Sequence, residues 1–322
     1  MREIGGYIEF EHYHGAMLHD NGIKLDCGRS CLAYLIKAKS IRKIAIPSFM
    51  CDSVFHLCER YGVQLRYYQV GLDFLPEDVS IEDDEYFYLM NYYGQLDYQT
   101  IEYYRDKYNR VIVDNAQSYF DEPVTGVDMF YSCRKFFGVP DGAVLYTDTY
   151  LDEDLEQSES WNHMVHLLGR FERPAYEFYS ESIRNKKRFI DQKIFSMSKL
   201  TENMLHGIDY EYVRNIRTAN YYYLFKLFSS INKVDLKRVE GAFAYPLMIK
   251  NADYIREKLI AEKIFVPTLW PNVLNNSLSS VKDRKLAGNI LPLPCDQRYN
   301  LADMEYIYDV VKHNFCSTTE NI

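Results

Sequence analysis

Hydrophobic and polar positions alternate in two rhythms along the first half of the chain. Cys31, Leu32, Leu35 and Ile36 fall on one helical face, which predicts a helix over 30–38. Val54, Leu57, Cys58 and Tyr61 repeat that spacing until Gly62 ends a second helix, and a third is expected over 100–108. The runs at 43–46, 65–70, 86–90, 111–113, 129–131 and 143–146 are short, apolar and of strand length, the first stopped by Pro47. Strands alternating with helices predict right-handed crossovers and a mainly parallel or mixed sheet covered on both faces. Such sheets bind ligands outside the carboxyl ends of their strands, and Asp114 falls at one of those ends.

Beyond residue 148 the rhythm changes. An acid-rich stretch at 152–159 predicts a solvated loop or helix start, followed by long helical patterns, one of them around 216–228. From Phe243 the pattern returns to a strand (244–249), a helix (252–262), a Trp270-Pro271 turn and a last helix (301–312). That sequence of elements predicts a smaller α+β lobe, with domains expected at 1–205 and 206–322. No repeat, low-complexity tract or proline-rich linker separates them, so the lobes are expected to pack together.

Composition narrows the function classes. With 47% apolar and 26% charged residues, the 322-residue chain has ample material for a core. A net charge of −9 argues against a nucleic-acid surface, so any anionic ligand needs a local pocket. The 30 tyrosines, Tyr221-Tyr222-Tyr223 among them, are explained by half-buried amphipathic packing. The seven cysteines are odd in number and form no CxxC, and no histidine pair has zinc spacing, so reduced thiols and no metal site are expected. The start, Met-Arg-Glu-Ile-Gly-Gly, has no apolar signal core, and no run approaches the ~18 apolar residues of a membrane span. A cytoplasmic protein is expected.

The chemistry centres on Lys135, in Ser132-Cys133-Arg134-Lys135 after a strand-like run and just before Gly138. Upstream, the apolar strand Val111-Ile112-Val113 delivers Asp114. A buried strand carrying a carboxylate, followed by a lysine beside a serine, suits a pyridoxal phosphate pocket. There the lysine condenses with the cofactor aldehyde and the carboxylate pairs with the pyridine nitrogen. Taken singly, Lys135 reads as a surface lysine and Asp114 as a helix cap after a strand.

With Cys27-Gly28-Arg29-Ser30, Ile46-Pro47-Ser48-Phe49, Asn91-Tyr92-Tyr93-Gly94, Val113-Asp114-Asn115-Ala116-Gln117, Ser132-Cys133-Arg134-Lys135, Trp270-Pro271 and Ile290-Leu291-Pro292-Leu293-Pro294-Cys295 in this order, the chain resembles the DegT/StrS-type sugar-nucleotide aminotransferases. The resemblance implies an α/β, three-layer fold-type-I pyridoxal phosphate transferase domain with a smaller α+β C-terminal lobe. It implies Lys135 as cofactor lysine and proton shuttle, Asp114 on the pyridinium nitrogen, Gln117 on the ring oxygen and Ser132 on the phosphate. Gly28, Arg29 and Ser30 open the first helix, where free amides and the helix dipole favour the phosphate.

The chain departs from the family pattern at several places. Arg29 stands where the family has threonine: either its charge joins the phosphate site, or it turns to solvent and leaves the backbone to bind. Cys51 stands where an aromatic side chain covers the cofactor ring, so either Phe49 substitutes or the thiol lies over the ring. The loop after the lysine is altered to Gly138-Val139-Pro140-Asp141-Gly142, and an arginine usual before the dimer-contacting helix is missing around Met197-Ser198.

The implied activity is amino transfer from an amino acid, glutamate by expectation, to a keto-sugar nucleotide for surface-glycan biosynthesis. The implied assembly is a homodimer packed through the segment from Met197 to Tyr223. Arg298 could be misread as a substrate-carboxylate arginine; nearby Asp296 predicts a local ion pair or solvent exposure instead. The family's sugar-dehydratase branch, which resembles it with histidine in place of the lysine, is disfavoured by Lys135. The alternative is a degenerate member acting as a binding or assembly protein, which Cys51 and Arg29 would suit. An unrelated nucleotide-binding protein would need GxGxxG or GxxxxGK[ST], and neither occurs.

Overall fold

The computed structural model describes residues 4–190 and 193–319, with the backbone alone for 316–319. Its first half reads β1 (Ile23–Leu25), α1 (Gly28–Ala38), β2 (Lys43–Pro47), α2 (Asp52–Arg60), β3 (Gln64–Val70), β4 (Pro76–Glu77), β5 (Tyr86–Met90), α3 (Tyr98–Tyr108), β6 (Val111–Asn115), β7 (Asp128–Ser132) and β8 (Ala143–Tyr146). The eight strands form one sheet in the order β1-β8-β7-β6-β5-β2-β3-β4. Its centre, β7 through β3, is parallel, and the outer pairs are antiparallel. Every residue of β6 and β7 is buried, as a strand covered on both faces requires.

Strand order decides where a ligand can sit. β2 has β3 on one side and β5 on the other, so the chain crosses back over β2 between β4 and β5. That reversal leaves a crevice at the carboxyl ends of β2 and β5, beside the ends of β6 and β7.

The second half comprises α4 (Val165–Glu172), α5 (Tyr179–Lys187), α6 (Lys199–Leu205), α7 (Tyr210–Phe228), β9 (Tyr245–Met248), α8 (Ala252–Ala261), α9 (Asn272–Asn275), α10 (Val281–Asn289), β10 (Ile290–Leu293) and α11 (Leu301–Thr319). β9 and β10 pair antiparallel, and Tyr221, Leu224, Phe228, Leu247, Ile255, Leu291 and Met304 share a second core. The sequence pattern does not reveal β10 as a strand because Pro292 and Pro294 interrupt it. In the fold Pro292 lies opposite Pro246 in a two-stranded ribbon, which tolerates prolines that a central strand would not.

The helix ends differ in a way that bears on the crevice. Asp97 caps α3 and Asp209 caps α7 by accepting backbone N–H bonds, from Thr100 at 2.8 Å and Tyr212 at 2.9 Å. Ser280 and Asp283 form a capping box on α10, and Asp283 also accepts from Ser48 Oγ at 2.8 Å, tying α10 to the end of β2. The N-cap residues of α1 and α2, at the crevice, are Cys27 and Cys51, and neither side chain caps its helix.

Below the β7–β8 edge His19 is buried against aromatic rings, stacked on Tyr131 with centroids 3.9 Å apart. Its Nε2–H donates to the Tyr119 carbonyl at 2.7 Å, which leaves Nδ1 to accept from Tyr146 Oη at 3.2 Å. Burial lowers its pKa to about 4, with the bond to Tyr119 opposing. Because the folded pKa lies below the unfolded one, stability is fully present above about pH 6.5 and is lost as pH falls toward about 4. Urea unfolding at pH 7 and pH 5 is expected to differ by about 2 kcal/mol through this group. His19→Phe is expected to lose that share of the pH dependence; an identical slope in the variant would exclude His19 as its origin.

Candidate functional site

β6 carries Asp114 to the crevice floor, and both carboxylate oxygens are engaged. Oδ1 accepts from the Ala116 N–H at 2.7 Å, and Oδ2 from the hydroxyl of buried Tyr88, on neighbouring β5, at 2.7 Å. Burial raises the Asp114 pKa, while the charge of Lys135 and these two bonds pull it back. Lys135 reaches the same place from the turn after β7. Its side chain is exposed, with Nζ 5.7 Å from the centroid of the Phe243 ring, yet protein atoms crowd around it. That poor solvation holds its pKa below the ordinary value; Asp114 opposes the shift, and Arg134 adds to it.

The other sequence-selected residues divide into those near this pair and those turned away. Cys51, at the start of α2, acts electrostatically on Lys135 and holds its Sγ 3.1 Å from Ser53 Oγ. Phe49 does not cover the cleft in place of an aromatic at Cys51. It is 1% exposed, stacked on Tyr92 at 5.4 Å and set edge-on to Trp270 at 4.7 Å. The Trp270-Pro271 turn thus braces the β2–α2 connection, helped by Asn272 Nδ2 donating to the Met50 carbonyl at 2.9 Å.

Gln117 is buried, and its side-chain oxygen accepts from the Tyr93 N–H at 2.9 Å, leaving its NH2 without a partner among the described residues. Ser132, also buried, ends β7 one residue before the turn that bears Lys135. Ser30 is spent locally, its hydroxyl 3.4 Å from Cys27 Sγ. Gly28 opens α1, and Arg29 lines a cavity of about 290 Å³ between α1 and α2, with Asp52, His56, Arg60 and Lys193 also on its wall.

Sequence reasoning passed over three features. Tyr88 sits in an apolar strand, where only its place beside β6 marks it as a partner of Asp114. Arg217 of α7 is buried; it donates to the Phe136 carbonyl at 3.1 Å, to the Ala242 carbonyl at 2.8 Å and to Gln297 Oε1 at 2.7 Å. Gln297 Nε2 bonds the same Phe136 carbonyl at 2.8 Å, so the second half of the chain fixes the residue after Lys135. Arg134 is the third. Arg298, by contrast, forms a two-bond ion pair with Asp296 at 2.6 and 2.8 Å and is half exposed.

The turn after Lys135 depends on Gly142, at φ +110°. A Cβ there would lie 3.0 Å from Thr201 and 3.2 Å from Cys133, while its N–H donates to the Asp26 carbonyl at 2.6 Å. Met197 and Tyr221, expected at a subunit contact, are buried within their own chain. Tyr212 of that segment is exposed, and more exposed apolar side chains lie outside it: Trp161, Phe171 and Tyr176 are 72, 93 and 76% exposed.

By sequence, the chain matches no family profile and no curated protein. By structure it is similar to a DegT DnrJ EryC1 StrS aminotransferase from Brucella abortus, at 14% identity and TM-score 0.61, covering 90% of this chain and 85% of that one. It is similar also to S. venezuelae DesV, at 13% identity and TM-score 0.65, over 91% of this chain and 84% of that one. E. coli GDP-4-keto-6-deoxy-D-mannose-3-dehydratase with bound hydrated PLP aligns at 13% identity and TM-score 0.61, over 90% and 87%. The α/β fold expected from the sequence, with its mixed sheet covered by helices, is thereby shown to be the fold of these structures. No described helix is long and apolar enough to cross a membrane.

Proposed function

We propose that this chain is a pyridoxal phosphate-dependent aminotransferase that moves an amino group from an amino acid to a nucleotide-linked keto-sugar. The observation that carries the reading is the placement of Asp114 near the carboxyl end of β6 and of Lys135 in the turn after neighbouring β7, where each charge acts on the other. The residues fit the cofactor: a buried carboxylate for its ring nitrogen, an amine of lowered pKa for its aldehyde, and uncapped α1 amides for its phosphate. When bound, the cofactor supplies an electron sink that acidifies the Cα–H of an amino acid.

Lys135 holds the cofactor and carries the proton, because a poorly solvated amine is neutral, and therefore basic, at lower pH than a free lysine. Asp114, held in place by Tyr88 and Ala116, keeps a negative charge opposite the ring nitrogen. Gln117 offers its NH2 to the ring oxygen. Lys135 also separates this reading from the dehydratase branch of the resembled family. Among the described residues that line the 290 Å³ cavity, Arg29, Arg60 and Lys193 outnumber the one acid, Asp52, which suits the diphosphate of a nucleotide-linked acceptor. Transfer into a surface glycan and a homodimer belong to the same reading, with Trp161, Phe171 and Tyr176 as the apolar surface a second subunit would cover.

The test is half-reaction spectroscopy on the aminated cofactor form, with keto-sugar nucleotides and simple keto acids offered separately to a preparation whose dimeric state is checked by light scattering. Return of the visible band with a keto-sugar nucleotide is expected. Rapid return with keto acids and none with any keto-sugar nucleotide would refute the acceptor assignment, and a monomer that retains the cofactor would refute the dimer.

A further inference from the structure

Arg134, the residue before Lys135, is a cation without a hydrogen-bond or ion-pair partner among the described residues. Its Nε is fully buried and donates to nothing, and its guanidinium makes no hydrogen bond or ion pair among the described residues. The guanidinium lies over the face of Phe189, 4.1 Å from the ring centroid. Arg188 lies over the same ring at 4.7 Å, but it is satisfied by Asp141, Ser158 and Ser160 at 2.9–3.3 Å. Asp141, the carboxylate that acts on Arg134, is already committed to Ser160, Ser198 and Arg188.

Charge makes this placement costly. Burial, Arg29 and Arg188 all disfavour the charged guanidinium, and arginine does not escape by losing its proton. Arg134 is half-buried with its Nε sealed from solvent, and Asp141, the carboxylate that acts on it, is shared among other donors, so an anion at this place would complete its hydrogen bonding. Arg134 acts electrostatically on Cys27, the N-cap of α1, and on Arg29 in its first turn. The first-turn amides there receive no side-chain cap. Phe189, whose ring faces the Arg134 guanidinium, lines one cavity with Arg29 and Ser30, so the planar fork lies near the α1 N-terminus, and the two together match the oxygens of a phosphate monoester.

We propose that Arg134 binds the phosphate of the pyridoxal cofactor together with the first turn of α1. The assignment rests on the cofactor reading above. It gives to an arginine beside the lysine the part that the resembled family's pattern gives to hydroxyl side chains. Ser30 is drawn into its own helix turn, and Arg29 lines the neighbouring cavity.

The experiment compares pyridoxal phosphate with pyridoxal, which has the same aldehyde and ring but no phosphate. Cofactor-free wild-type and Arg134→Met proteins are titrated with each by absorbance, methionine being chosen to keep an apolar stem against Phe189. Arg134→Met is expected to weaken pyridoxal phosphate binding on the order of 10- to 100-fold, as loss of charge-assisted bonds implies, with pyridoxal nearly unaffected. Inorganic phosphate is expected to raise the melting temperature of the cofactor-free wild type and not of the variant. If Arg134→Met does not fold, Arg134→Lys supplies the same ratio with a smaller expected loss, since a point charge replaces the fork.

Equal affinity of variant and wild type for pyridoxal phosphate would overturn the assignment, and so would an equal loss for both ligands, which marks Arg134 as structural. A wild type that binds neither form refutes the cofactor reading and the assignment with it. Stabilisation by a nucleoside diphosphate that needs Arg134, without discrimination between the two aldehydes, would give the arginine to the acceptor instead.

Discussion

Lys135→Ala is expected to abolish the visible, borohydride-sensitive absorbance of the loaded protein and to lower kcat by roughly 10⁴-fold or more, since covalent attachment and proton transfer are lost together. The same substitution should leave the fold intact. The Lys135 side chain is exposed to solvent, and the protein crowded around it holds its pKa below that of a free lysine. A lowered pKa means that folding disfavours the ammonium form, so stability is diminished below the folded pKa and recovered as pH rises through it. Removing the amine should therefore leave the melting temperature at neutral pH unchanged or slightly higher. A variant that stays yellow and reducible by borohydride would place the cofactor linkage on another lysine. A variant that is colourless but has lost cooperative unfolding would show that Lys135 supports the fold instead.

The sequence exposes the large domain because its two periodicities are strong and local. Apolar runs such as Val111-Ile112-Val113 are buried on both faces, and helices such as α1 present one apolar side, so composition and spacing report each element directly. β10 stays hidden because Pro292 within it is tolerated in the two-stranded ribbon that β9 provides.

The site is legible to the extent that its chemistry is carried by residue type. A lysine and a carboxylate at strand ends can be picked out, but their supports cannot. Tyr88 looks like one more apolar strand residue until β5 lies beside β6. Arg217 looks like a helix-surface arginine until α7 packs under Phe136. Phe49 is the reverse case. Its proximity in sequence to Cys51 made it a candidate to cover the cleft, but the ring turns toward Tyr92 and Trp270, where it is buried.

Asp114→Asn is expected to keep the fold and lose turnover on the order of 10²- to 10³-fold, the range seen when one preorganised electrostatic partner is removed. The fold survives because the amide oxygen still accepts from the Ala116 N–H, and the new NH2 finds an acceptor in the Tyr88 hydroxyl, which can reverse its role. What the amide lacks is the negative charge that keeps a proton on the cofactor ring nitrogen. That same charge now raises the pKa of Lys135 against the effect of burial. Without it the Lys135 pKa should fall further, and this can be read in the cofactor-free protein, independently of turnover. The pH profile of Lys135 acylation by a small electrophile, followed by mass spectrometry, should move to lower pH in the variant. A profile that stays in place would separate Asp114 from Lys135. Near-normal turnover with asparagine would reduce Asp114 to a residue that closes the turn at 114–116.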